Sequence, residues 1–365
     1  MSDMSSTPAP SSPSRGASTA IDAHLTREWT ALADRVGAPP SLYPQYVQAW
    51  ARCYAPDAKI EVATAWEGDR LAGVMPLALH EDGRATGMAE AEDFGIVAVD
   101  TATATTVAAS ALELDARPFV LAPLIAGGDA VAALTKAAGQ SGHSVATRRV
   151  ADRPMVDTAG TWDDYWAERG GKLRGEVRRV RRRLEETGEL TEDSGLEIDD
   201  LEALLAECMD LEASGWKGEQ GSALAQREHE RALYLALARW SAERGWLRVP
   251  TLRLDGAPIA FQFNVEAHGV KYGLKMGYAR ELRKFAPGML LLATEIERAF
   301  GDPAIELYDL EGDMSEAYKA RWATSSREYI ELTLFSPTAA GRAAWLVQSR
   351  LRPALGRAKR ALSGQ

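Results

Sequence analysis

Three carboxylates alternate near the end of an apolar run: Asp309, Glu311 and Asp313, around Gly312. If the strand they close continues, alternation puts all three on one face. Carboxylates gathered that closely raise one another's pKa, which suits a group that must accept a proton. The same spacing also fits a solvated acidic turn. Pro287-Gly288 heads a second apolar stretch, which runs to Phe300. A helix starting there offers unpaired backbone N–H groups and the positive end of a dipole, and so accepts phosphate. Proline at the first position wastes no N–H, and glycine lets a ligand reach the backbone. Arg280, Arg283 and Lys284 lie just upstream, where cations would screen a pyrophosphate. Pro-Gly is equally an ordinary helix start. Lys275 stands among apolar neighbours, where a lysine facing a core is costly, so it is expected in a polar cleft. Trp216-Lys217 reads as a substrate-facing wall with a cation, or as a loop anchor with a solvated lysine. Tyr318 and Trp322 share a helix face, with Lys319 between them.

Two basic segments add to this list. Lys172 to Arg183 holds Arg174, Arg178, Arg179, Arg181, Arg182 and Arg183. It reads as a polyanion-binding helix or, preferably, as a solvated helix paired with Glu185, Glu186 and Glu189. The tail carries Arg350, Arg352, Arg357, Lys359 and Arg360, which fits packing on the domain or contact with an anionic membrane surface. None of the five histidines shows metal-ligand spacing, and no nucleophile elbow, Walker loop or dinucleotide fingerprint occurs. Hydrolase, ATPase and dehydrogenase chemistry is thereby disfavoured, and no metal is expected.

The elements that must position these residues follow from periodicity and punctuation. At roughly 100–200 residues per domain, 365 residues make about two domains. A net charge of −10 argues against DNA as a partner of the whole protein. Cys53 and Cys208 are too few for a disulfide framework, which fits a reducing, cytoplasmic compartment. Residues 1–20 are rich in Ser, Pro and Ala and read as a disordered leader, not a signal peptide. No apolar run reaches the ~20 residues of a spanning helix. Residues 21–155 mix helices (Ile21–Gly37, Tyr43–Tyr54, Asp129–Ser141) with strands (Lys59–Trp66, Arg70–His80, Gly95–Val99, Phe119–Leu124, His143–Arg149). Residues 160–336 begin at the N-cap Thr161, with helices at Lys172–Thr187, Asp199–Ser214 and Arg227–Arg244. Strands Leu247–Leu254, Pro258–Glu266 and Val270–Tyr278 follow. Helix Pro287–Phe300, strand Ala304–Leu310, helix Ser315–Trp322 and strand Glu328–Phe335 complete the unit. Residues 337–365 form a basic helical tail from Thr338 to Leu362.

Five segments fall in order along this second unit: Gly215-Trp216-Lys217, Glu243 to Leu247, Asp255 to Phe261, Pro287 to Leu291, and Tyr318 to Trp322. Together they resemble the GNAT acyltransferases of the cellulose-biosynthesis (CelD/BcsL-like) branch, relatives of the Fem-type aminoacyltransferases, over about 162–335. The resemblance implies an α/β fold with a mixed sheet, built of tandem GNAT-like domains, the carboxy-terminal one the more complete. It implies transfer of an acyl group from an acyl-CoA, acetyl or longer, to the amine of a small molecule, sugar or peptide, in cell-envelope or exopolysaccharide work. Val270–Tyr278 then becomes the central strand of the cofactor site. Met276, Arg280, Arg283, Lys284, Pro287, Gly288 and Met289 hold the donor, with a backbone N–H between Met276 and Tyr278 facing the oxyanion. Asp309 and Asp313, flanking Glu311, are the candidate bases; Tyr278 and Tyr318 are the candidate acids for the leaving thiolate. Trp216, Lys217, Lys275, Lys319 and Trp322 face the acceptor. The chain has Arg283-Lys284-Phe285-Ala286-Pro287-Gly288 where the family carries Arg/Gln-x-x-Gly-x-Gly/Ala, which leaves CoA, a carrier protein and aminoacyl-tRNA open as the donor's carrier. A Fem-like, tRNA-dependent transferase is one alternative, although no heptad run supplies that group's coiled-coil arm. A catalytically inactive GNAT-fold binding module is another.

Overall fold

The computed structural model describes residues 14–18, 21–88, 93–196, 198–214 and 228–351. The first unit opens with strand β1 (Ser14–Ser18) and helix α1 (Ala23–Val36). Asp22 caps α1 by accepting the Leu25 N–H at 2.8 Å, and Gly37, at φ 64°, ends it in the left-handed region. Its stripe Leu25, Trp29, Leu32 and Ala33 is buried. Then come α2 (Pro44–Tyr54), the hairpin β2 (Lys59–Glu67) and β3 (Arg70–Leu79), and short β4 (Ala85–Thr86) and β5 (Val97–Ala98). They are followed by α3 (Thr101–Leu112), β6 (Phe119–Ile125), α4 (Asp129–Gln140) and β7 (Ser144–Asp157).

The second unit has α5 (Trp162–Glu168), α6 (Gly171–Glu185), β8 (Leu190–Asp193), α7 (Leu201–Ser214) and α8 (Glu228–Glu243). Strands β9 (Leu247–Arg248), β10 (Thr251–Leu254), β11 (Ala257–Ala267) and β12 (Val270–Tyr278) lead through a 3-10 turn (Arg280–Phe285) into α9 (Pro287–Gly301). Strand β13 (Leu307–Asp309), α10 (Ala317–Ala320), β14 (Ser325–Phe335) and α11 (Ala339–Leu346) follow.

Several expectations are corrected. Part of the presumed leader is ordered: Ser14–Ser18 pairs antiparallel with β2, Gly16 facing Thr64. Helix α3 was not expected, because Thr101-Ala-Thr-Ala-Thr-Thr lacks an apolar stripe. Asp100 starts it, accepting the Thr103 N–H at 2.7 Å, and Val107, Ala108 and Ala111 bury one side. Strand β7 runs on to Asp157 rather than stopping at Arg149, because past a register shift its second half pairs with β14 from Ala151–Tyr329 to Met155–Ser325 and then with β13. Val249-Pro250 splits the expected strand 247–254 into β9 and β10; proline has no N–H for the ladder. The strand at 304–310 shrinks to Leu307–Asp309 and the helix at 315–322 to Ala317–Ala320. The tail helix is Ala339–Leu346 with a π turn to Leu351; Arg350 lies in that turn, and Arg352, Arg357, Lys359 and Arg360 fall outside the described residues.

The described strands form one mixed sheet, in the order β1-β2-β3-β4-β6-β14-β7-β13-β12-β11-β10-β8, with β5 paired to β3 and β9 to β11. The last strand in the chain lies between two strands of the first unit: β14 pairs with both β6 and β7. Neighbouring side chains on β11 point to opposite faces. Asn264 meets Glu295 of α9, whereas Phe263 meets Tyr234 of α8. Thus α9 covers one face of this part of the sheet and α8 the other, and the two faces meet only where the sheet opens.

Candidate active site

That opening follows from the parallel pair. Strands β12 and β13 pair at Val270–Leu307, Lys271–Tyr308 and Tyr272–Asp309, and no further. Beyond Asp309, Glu311 (φ 57°) and Gly312 (φ 79°) are left-handed and turn the chain away. Strand β12 continues to Tyr278, and the wedge between the parted strands holds a cavity of about 500 Å³. Gly273 to Met276 and Tyr278 form one wall; Ala286, Gly288, Met289 and Leu292 of the α9 start form another; Leu310, Glu311, Tyr318, Lys319 and Trp322 form the third.

A bulge aims the first wall. Phe263 faces Lys275 and Asn264 faces Gly273, so Leu274 is the extra residue. Its carbonyl accepts the Tyr234 hydroxyl at 3.5 Å. Gly273 then lies against Tyr308, while Lys275 turns toward α7 and α8, its Nζ 3.3 Å from Glu212 Oε1 and 5.1 Å over the Tyr234 ring. Glu212 is almost wholly buried, which explains how a lysine is tolerated mid-strand.

At the second wall, the N-cap of α9 is Ala286, held left-handed at φ 51°, and it makes no side-chain cap. Helices α1, α3, α5 and α11 are capped by Asp22, Asp100, Thr161 and Thr338. Helix α9, like α2, α4, α6 and α10, has no side-chain cap; its Met289 N–H goes to the Ala286 carbonyl at 3.0 Å, which leaves Gly288 as the first-turn N–H beside the cavity. A side chain on Gly288 would meet Met276 Sδ at 3.3 Å and narrow the space. Arg283 borders the cavity, whereas Arg280 and Lys284 are exposed outside it and Lys284 Nζ lies 5.0 Å over the Phe285 ring. Pro287 is buried behind the wall. An uncapped helix start, a cation and a slot walled by Met276, Met289 and Leu292 fit a phosphate-bearing donor with an apolar arm.

The acidic trio does not share a face. The left-handed backbone at Glu311 breaks the alternation, and each carboxylate has a different setting. Glu311 borders the cavity and accepts from Arg153 Nη1 at 3.2 Å. Asp309 lies behind it, 1% exposed, its Oδ1 taking the Glu311 N–H at 2.8 Å and its Oδ2 3.7 Å from Arg153 without a hydrogen bond. Burial pushes the Asp309 carboxyl up to about 6; Asp93 adds to this and Arg153 opposes it. Asp313 is a turn residue, accepting the N–H groups of Ser315 at 2.9 Å and Asp152 at 2.7 Å. Those bonds hold it down to about 2, unsuited to a base near neutral pH.

Tyr278 and Tyr318 both border the cavity. Burial, with Glu316 beside it, raises the Tyr318 hydroxyl above its ordinary pKa, so it stays protonated. Lys319 Nζ donates to the Glu311 carbonyl at 3.0 Å and ties down the turn after β13. Trp322 is buried, stacks on Trp166 at 6.2 Å, and receives the Tyr165 hydroxyl on its carbonyl at 2.7 Å. Trp216 and Lys217 lie outside the described residues. On the basic helix α6, Arg182 reaches Glu186 at 3.6 Å and Arg181 reaches Glu192 of β8 at 2.6 Å, while Arg178, Arg179 and Arg183 are exposed.

Three residues of the site were not singled out from sequence. Gln262 and Tyr308 line the cavity, and Arg153 holds Glu311. Two amides alternating in the otherwise apolar run Ile259 to Val265 were a legible sign of a buried polar face. Arg153, far off in the chain, left none.

Residues 171–320 match the model of a family described as an acetyltransferase (GNAT) domain. No curated protein matches in sequence. Among solved structures, FemX is similar with a TM-score of 0.57 at 12% identity, covering 84% of this chain and 95% of that one. The C-terminal domain (DUF2156) of a putative lysylphosphatidylglycerol synthetase from Agrobacterium fabrum has a TM-score of 0.55 at 12% identity, over 89% and 94%. L-PGS from Bacillus licheniformis has 0.52 at 11%, over 84% and 96%. Among the described residues no helix is long and apolar enough to cross a membrane. The chain has a mixed α/β fold built on one large mixed sheet, and its residues 171–320 match the GNAT acetyltransferase domain.

Proposed function

We propose that this protein is an N-acyltransferase that moves an acyl group from an acyl-CoA thioester to an amine acceptor. The observation that carries this is the wedge where β12 and β13 part, closed at one side by the uncapped start of α9. The first-turn N–H of Gly288, with Arg283, receives the pyrophosphate, while Arg280 and Lys284 raise the local positive potential. Met276, Met289 and Leu292 flank the arm and bring the thioester toward Gly273. Glu311, steadied by Arg153 with Asp309 behind it, takes the proton from the attacking amine. Tyr278 and Tyr318 are the hydroxyls within the cavity that can donate to the departing sulfur. The face of Lys275, Glu212 and Tyr234 is the acceptor's side, with the amine drawn from a small molecule, sugar or peptide. We assign residues 21–155 and 160–336 to the two units. Membership of the CelD/BcsL-like branch, and with it envelope or exopolysaccharide chemistry, rests on the five ordered sequence segments.

The test is thermal unfolding with acetyl-, butyryl- and octanoyl-CoA. A ligand at 100 times its Kd adds about 2.7 kcal/mol, roughly 3–4 °C for a protein of 365 residues. Arg283→Ala should shrink that shift by half or more. A flat response to every acyl-CoA, with retention on immobilised tRNA that Arg178 and Arg179 control, would move the assignment to an aminoacyl-tRNA-dependent transferase.

A further inference from the structure

Gln262 projects from β11 into the cavity, 4% exposed, across the ladder from Met276. Its two ends are used unequally. Oε1 accepts twice, from the Tyr308 hydroxyl at 2.8 Å and from Asn264 Nδ2 at 3.3 Å. Nε2 meets Met276 Sδ at 3.8 Å, a thioether and so a weak acceptor. A buried amide donor is thus aimed into a space with largely apolar walls and little to receive it.

The direction of that amide is set by charge. Lys271 Nζ lies 2.6 Å from Glu295 Oε2 and 3.2 Å from Glu266 Oε1, and Lys271 and Glu295 are both buried. Beside a lysine ammonium, Glu295 is an acceptor only. Asn264 Nδ2 approaches it at 3.4 Å, so Asn264 must offer its NH₂ end there. The second hydrogen of that NH₂ goes to Gln262, which must answer with oxygen. The Gln262 NH₂ is left pointing at the cavity. A buried ion pair is a poor source of stability, and here it supplies orientation instead.

We propose that Gln262 Nε2 donates a hydrogen bond to the thioester carbonyl oxygen of the acyl donor, with Asn264 as the positioning residue that keeps the amide turned that way. This rests on the acyltransferase reading and adds a side-chain donor to the backbone N–H of β12. The carbonyl oxygen gains charge as the amine attacks, so a donor fixed in a dry site strengthens as the reaction proceeds, and losing one such donor costs about 10²–10³ in turnover.

Carbonyl-labelled (carbon-13) acetyl-, butyryl- and octanoyl-CoA bound to the full chain report on this bond through the isotope-edited infrared band of the thioester, with no acceptor needed. The wild-type band should lie at lower wavenumber than in Gln262→Leu. Gln262→Glu keeps the shape and the bonds from Tyr308 and Asn264 but loses the NH₂, and should match Gln262→Leu. Asn264→Leu frees the amide to turn and should give a broadened band between the two. Binding of CoA itself, which has no acyl carbonyl, should stay within twofold in all variants. An unshifted band in both Gln262 variants overturns the proposal, as does an equal loss of CoA and acyl-CoA binding, which marks a structural role. If wild type binds none of the acyl-CoA esters, the thioester reading falls first and this inference with it.

Discussion

Asp309 shows how one buried group can serve a site it does not touch. It keeps Glu311 in register through the Glu311 N–H and shares Arg153 with it. The arrangement has a measurable cost. A carboxyl raised to about 6 means the folded protein holds this proton more tightly than the unfolded chain does. Asp309 therefore favours folding below the ordinary carboxylate range, and that contribution is lost as pH climbs from about 4 through about 6. At ~1.4 kcal/mol per pKa unit, the stability of wild type relative to Asp309→Asn should fall by about 3 kcal/mol between about pH 4 and pH 7. Denaturant titrations of both proteins across that range check it; parallel curves would show that Asp309 is not the group responsible.

At the scale of elements, the start of α9 is the feature on which donor binding turns. Left-handed φ at a non-glycine residue and an absent cap both cost stability locally, so a substitution there should separate stability from function. Aspartate tolerates the left-handed region better than alanine and adds an anion at the positive end of the dipole. Ala286→Asp should stabilise the free protein by about 0.5–2 kcal/mol while abolishing protection by acyl-CoA, because the carboxylate occupies the phosphate's place. Melting curves with and without acetyl-CoA read both effects. Gain or loss of both together would remove α9 as the donor's anchor.

At the scale of the molecule, the sheet ties the two units together. Strand β14 fills the gap between β6 and β7, and β13 pairs with β7. A fragment of residues 21–157 would leave β6 and β7 with open edges along their full length, and such edges aggregate. It should show no cooperative unfolding alone, and should recover it when co-expressed with residues 158–351. A cooperative transition in the isolated fragment would show that β14 is dispensable to the first unit.

What the sequence by itself determined is local: the cap at Thr161, the stripe of α6, the hairpin β2–β3, and a helix beginning at Pro287, because each depends on neighbours within a few residues. Met276, Arg283, Gly288, Met289, Tyr278, Tyr318, Lys275, Lys319 and Trp322 were singled out from the chain, and the fold brings all of them to one cavity. Their roles remain proposals. Where the acidic trio points was decided only in three dimensions. Its alternation held in sequence but not in space, since two successive left-handed residues, Glu311 and Gly312, send the side chains to different places. Arg153 and Asp93 reach Asp309 from the other unit, and the direction of the Gln262 amide descends from Lys271 through Glu295 and Asn264. Those contacts cross between elements, from β7 and the loop at Asp93 to β13 and from the β11–β12 hairpin to α9, and no spacing within one segment encodes them.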